Sequence, residues 1–244
     1  MSKPTTHPSR PTSGALLHIG TDVEAGVEQA LNRWSEEHVT ENLSLPGFIA
    51  VRRLVKRADY EGVGKNPKYL TLYQLEDASA LESDAHAAHD QSIPDSFVGH
   101  MSFQRSVFRE LSPPRPSEAQ LTGAAILHVT VDVERAYRDT FLKWYAEIHV
   151  PAVLEVPGMI GARRFENVEL GAGDPLREGQ QAYCTIYEME DASVIGHPEI
   201  TEAARKGACP ADLEAHRVAF NHVYEEIFSA RAFSRASSAV VGDR

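Results

Sequence analysis

The chain has 244 residues, 42% of them hydrophobic and 24% charged, and a formal net charge of −11 at pH 7. That is the make-up of an ordinary soluble globular protein, and its acidic balance argues against nucleic acid or an anionic membrane as a partner. No apolar run approaches the roughly 18 residues that cross a bilayer, and two cysteines are too few for a disulfide framework, so the expected setting is a reducing cytoplasm.

In chain order, residues 1–14 are rich in Pro, Ser and Thr and lack an apolar signal core, which reads as a flexible tail. Alternation over 15–21 predicts a strand. Val27, Leu31 and Trp34 then share one helical face, and Asp22 stands where an N-cap belongs. Pro46-Gly47 turns the chain into a strand over 48–55. A third strand covers 69–75, followed by a weakly periodic helix and a last strand near 105–111. Residues 113–123, within "SPPRPSEAQLTG", read as a linker. The same order then returns: a strand over 125–131, a helix carrying Tyr137, Phe141 and Trp144 with Asp132 at its start, and Pro151 limiting its continuation. Strands follow at 159–166, 183–189 and 221–227, and 230–244 reads as a second tail.

The return is a repeat. "ALLHIGTDVE" (15–24) matches "AILHVTVDVE" (125–134), "PGFIAVRRL" (46–54) matches "PGMIGARRF" (157–165), and "YLTLYQLEDAS" (69–79) matches "YCTIYEMEDAS" (183–193). The offset grows by one residue between Trp34/Trp144 and His38/His149, so the second copy has gained a residue there. Ordered blocks of this kind define two homologous halves, 15–112 and 124–229. Each has the order β-α-β-β-α-β, an α+β class arrangement of the ferredoxin-like type.

That order, with the string "WYAEIHVPAVLEVPGMIGARRF", resembles the dimeric α+β barrel superfamily, and within it the group of the ethyl tert-butyl ether degradation protein. The second copy fits better, since the first has Ser35 for Tyr145 and Thr40 for Pro151. The resemblance implies that the two antiparallel sheets close one barrel within the chain. It also implies a small-molecule enzyme: a lyase, isomerase, cyclase or cofactor-independent monooxygenase acting on an aromatic or polyketide-like compound.

Strand alternation nominates the site. His18 and His128 stand opposite the Leu-Ile and Leu-Val faces that helices should cover, so both are expected to face the inter-sheet cavity as proton-transfer groups. By the same logic Tyr69 and Tyr73, and Tyr183 and Tyr187, are expected to line that cavity as substrate contacts. One arginine of each pair, Arg52-Arg53 and Arg163-Arg164, should join them; periodicity does not say which. The alternative for His18 and His128 is a structural pair bonded across the seam of the halves. His38 and His149, at the ends of the first helices, are capping residues or site groups, because the resemblance places this histidine near a pocket mouth; Tyr145 is a further substrate-binding candidate.

His86 and His89 share a helix face but find no third ligand at a credible spacing, so no metal is expected. No glycine-rich phosphate loop or nucleophile elbow occurs, and no cofactor is expected. The expected function is proton transfer on a small molecule, which is also the expected partner, with a homodimer left open. The alternatives are a non-catalytic binding or stress-related module and a haem enzyme.

Overall fold

The computed structural model describes residues 14–89, 92–111, 123–168 and 181–232. The expected linker, apart from Gly123, and most of both expected tails lie outside them. The first half comprises β1 (Ala15–Val23), α1 (Glu28–Asn42), β2 (Phe48–Lys56), β3 (Tyr69–Leu75), α2 (Asp84–Ala88) and β4 (Met101–Glu110). The second comprises β5 (Ala125–Val133), α3 (Arg138–Trp144), a π-helical turn (Tyr145–His149), α4 (Val150–Leu154), β6 (Met159–Asn167), β7 (Tyr183–Met189), α5 (Glu199–Lys206), α6 (Ala211–Glu214) and β8 (Arg217–Arg231).

The eight strands form one closed antiparallel barrel in the order β1-β3-β2-β8-β5-β7-β6-β4. Each half supplies a four-stranded sheet, and two seams join them. The β2–β8 seam runs from Ala50↔Arg231 to Lys56↔Tyr224. The β4–β6 seam is shorter, from Phe108↔Asn167 to Glu110↔Phe165. Every strand is thereby paired on both sides along part of its length, although Met101–Ser106 of β4 is paired on one side only, with β1.

Both faces of the barrel wall carry buried apolar residues. Leu16, Leu70, Leu72, Ile126, Cys184 and Ile186 fill the interior, while Leu17, Val51 and Tyr73 pack outward against Val39 and Leu43 around α1. The register decides which face is which, because directly paired residues point the same way. His18 pairs with Leu72 and Leu17 with Tyr73. The third-strand expectation is therefore inverted: Leu70 and Leu72 point inward, and Tyr69 and Tyr73, with Tyr183 and Tyr187, sit on the helix side. An apolar face need not lie under a helix when the barrel interior is itself an apolar core.

The Pro-Gly turns have a clear cause. Gly47 and Gly158 hold φ of 82° and 86°, the left-handed region that glycine enters freely. A Cβ on Gly47 would also lie 2.7 Å from the Ala80 methyl.

Two helix-boundary expectations are corrected. α1 starts from Val27 with no side-chain cap. Asp22 and Asp132 instead accept the backbone N–H groups of Lys68 (2.8 Å) and Ala182 (2.7 Å), tying the strand ends together. Pro151 does not stop the second helix, which runs on to Leu154. The residue gained before His149 is absorbed as the π-helical turn, where Val150 N–H reaches Tyr145 C=O five residues back. Such turns are how a helix takes in one extra residue, and Pro151 sits in the first turn beyond it, where a missing N–H is tolerated.

Candidate functional site

Three cavities among the described residues compete. The first is the barrel interior, about 430 Å³, lined by His18, His128, Thr130, Ser106 and Gln104. The other two, about 340 Å³ each, lie between the outer sheet face and the helices, one in each half.

In the barrel, His18 Nε2 lies 3.1 Å from His128 Nε2. The two residues stand on opposite walls, so the bond joins the halves across the lumen. Burial lowers the pKa of His18 to about 4 and that of His128 well below the ordinary value, where the neighbouring imidazoles add to the effect. Both rings are neutral near pH 7, and one must donate to the other. The sequence expectation that both face the inter-sheet cavity holds geometrically, yet each imidazole's Nε2 is occupied by the other.

The inward arginines are Arg52 and Arg163, paired in register with Leu72 and Ile186. Both are engaged by carboxylates, with Arg163 Nη1 left without a hydrogen-bond partner among the described residues. Arg52 is held by Glu188 (2.9 Å), Glu226 (2.5 Å) and the Gly123 carbonyl, and Arg163 grips Glu110 through two bonds of 2.9 and 2.7 Å. These buried pairs bridge the two halves. Arg53 and Arg164 point to the helix side.

The first-half cavity is lined by Trp34, His38, Asn42, Arg53, Tyr69 and Tyr73, with His86 at its side. Arg53 donates to Asn32 Oδ1 at 2.9 Å, and its buried Nε has no hydrogen-bond partner among the described residues. Asn42 donates to the Tyr73 hydroxyl at 3.0 Å, and Tyr69 bonds to Glu28. Burial pushes the Tyr73 phenol up to about 12. Trp34 is half-buried here and stacks on His38, with ring centroids 4.7 Å apart.

The second-half cavity holds Trp144, Tyr145, His149, Tyr187 and Arg217 among Leu127, Val129 and Ile195. His149 Nδ1 lies 2.8 Å from the Gly207 carbonyl. A carbonyl only accepts, so Nδ1 carries the hydrogen and Nε2 the lone pair. Burial lowers the pKa of His149, keeping the ring neutral. Tyr187 donates to the Tyr145 hydroxyl at 3.1 Å, and burial raises both phenols, so both stay protonated and Tyr145 keeps its own O–H to donate. Arg217 lies 5.9 Å from the Trp144 ring, held by Glu214. Tyr183 accepts from Arg138 Nε at 2.8 Å beside this site. Glu147, two residues before His149, is exposed. Arg217 and Gly207 had no sequence signal, since only the folded helix and strand ends bring them to His149.

A closed eight-stranded barrel of two split βαβ halves, with a cavity under the helices of each, is the dimeric α+β barrel fold, completed here within one chain. Solved structures share it. An anthrone oxidase-like protein matches with a TM-score of 0.60 and 11% identity, covering 93% of this chain and 96% of its own. A monooxygenase candidate from Lactobacillus acidophilus NCFM matches at 0.53 and 11%, covering 90% and 97%. A mutant chlorite dismutase from Candidatus Nitrospira defluvii matches at 0.53 and 8%, covering 89% and 92%. No protein-family model and no curated protein matches the sequence.

Proposed function

We propose that the chain is an enzyme that takes a proton from a small, planar, acidic organic molecule in the second-half cavity. His149 is the base, acting through Nε2. The Tyr145 hydroxyl, which Tyr187 supports by donating to it, and Arg217 face the oxygen on which negative charge develops. The observation that carries this reading is the Nδ1–H···O=C bond to Gly207, which fixes the tautomer a general base needs. Apolar walls with a few convergent polar groups suit an aromatic ligand, and Trp144 offers a face to stack on.

The anion so formed, an enolate or phenolate, is electron-rich and is the form that O2 attacks. The oxidase and monooxygenase names of the structural neighbours favour that outcome over lyase or isomerase chemistry, which shares the same first step. The sequence expectation of proton transfer is kept, but its centre moves from His18 and His128 to His149.

The test uses anthrone and related hydroxylated polycyclic ketones, followed by oxygen uptake and by the ligand's own absorbance. Turnover is expected, with His149→Ala lowering it by about 10²–10⁴-fold, the usual contribution of a positioned acid–base group. Unchanged turnover in that variant sinks the assignment. A Soret band that disappears in His149→Ala would instead make the ring a haem ligand.

A further inference from the structure

Sequence spacing gives His89 only His86 as a companion. The fold gives it different ones. α2 ends at Ala88, and His89 follows it beside α1. His38 and Glu41 stand three residues apart on α1, hence on one face of the helix. One ligand atom from each of His38, Glu41 and His89 lies within 4.8 Å of the other two. The His38 and His89 rings are nearly parallel, with an interplanar angle of 24° and centroids 6.2 Å apart. His89 Nε2 is enclosed and has no hydrogen-bond partner among the described residues, an unfavourable state for a buried polar atom.

We propose that His38, Glu41 and His89 bind a divalent transition-metal ion of the zinc class at the side of the first-half cavity. Two imidazoles and one carboxylate are a donor set for zinc and its first-row neighbours. Magnesium and calcium prefer all-oxygen shells. Bonds near 2 Å in a tetrahedron put ligand atoms about 3.3 Å apart, so side-chain shifts on the order of an ångström close the trio on an ion. Three protein ligands leave a fourth position, and His38 is itself part of the cavity wall. A ligand in that cavity can therefore reach the metal directly.

The second half cannot do the same. The residue matching Glu41 is Ala152, and His149 is turned to the Gly207 carbonyl. The trio is a property of the first half alone, independent of the chemistry assigned to His149.

The experiment titrates the full, tag-free chain with Zn2+ by calorimetry and with Co2+ by visible absorption. One ion per chain is expected, with the intense d–d bands of a four-coordinate Co2+ site. His89→Ala and Glu41→Gln should each weaken binding by at least about tenfold, the lower end of what even an outer-sphere partner contributes. His100→Ala, at an exposed histidine paired with Glu24, should leave it unchanged, and so should His149→Ala, which separates this site from the proposed base. Far-UV circular dichroism checks that each variant folds. Less than one ion bound, or wild-type affinity in both folded ligand variants, overturns the proposal.

Discussion

His18 and His128 meet Nε2 to Nε2 at 3.1 Å across the barrel lumen, one from each half. The contact requires at least one neutral ring, and burial supplies the bias. In the unfolded chain both rings titrate near 6.5; in the fold His18 titrates at about 4. Between those values the unfolded state binds more protons, so stability is fully present above about pH 6.5 and falls as pH drops toward 4. His18 alone accounts for at most about 3 kcal/mol of that loss. Urea unfolding at pH 7.5, 6, 5 and 4 reads it, and the variant with Gln at both positions should show a flatter dependence.

His149 carries the opposite use of the same physics. Its pKa is also lowered by burial, so it stays a competent base below the ordinary imidazole range. The acid limb of a pH–rate profile is therefore expected below pH 6.5, and a limb at or above that value contradicts the proposed role. Gly207→Ala tests the orienting bond. Its new Cβ would lie 3.1 Å from His149 Nδ1 and 3.1 Å from the Ala203 carbonyl. Gly207 has φ of −89°, so the backbone accepts alanine. Turnover should fall by about tenfold or more, the scale of effect when an orienting partner of a site histidine is disturbed, with the melting temperature little changed.

The buried carboxylate Glu188 holds Arg52 and the Gly123 amide together. Burial raises the Glu188 carboxyl even with the guanidinium beside it. Arg52→Ala leaves that charge stranded and should cost about 3–5 kcal/mol, as breaking one side of a buried pair does. Arg205→Ala, which removes an exposed pair with Glu202, should leave the unfolding midpoint where it is. Equal effects of the two would show that the Arg52–Glu188 pair is not a stabilising link.

The two seams differ in length, and hydrogen exchange should resolve them. Amides along β4–β6, from Phe108 to Glu110 and Phe165 to Asn167, should exchange by local opening before those of β2–β8. Matching protection at both seams would contradict this order.

Much of the fold was legible because the two halves repeat. A strand, a helix and a Pro-Gly turn that recur in order leave few topologies open, and 69–75 and 183–189 are the bounds of β3 and β7. Facing was harder. Tyr73 and Leu72 look equally buried in a sequence, and only the pairing of Leu17 with Tyr73 shows that the tyrosines lie under the helices. The same fact settled the arginines, turning Arg52 and Arg163 inward. The gained residue before His149 was visible as a shift in offset, but its form as a π-helical turn was not. The Gly207 carbonyl at His149 and the meeting of His38 with His89 depend on how helix ends pack, which no local spacing encodes.

The π-helical turn has a wider consequence. In a barrel assembled from two identical chains, every substitution is imposed on both cavities at once. Here one residue was added to one helix only, and His149 came to face a glycine carbonyl while its counterpart His38 came to face another histidine. Joining the halves in one polypeptide released them from symmetry, so a single barrel carries two chemically different chambers that can be altered one at a time.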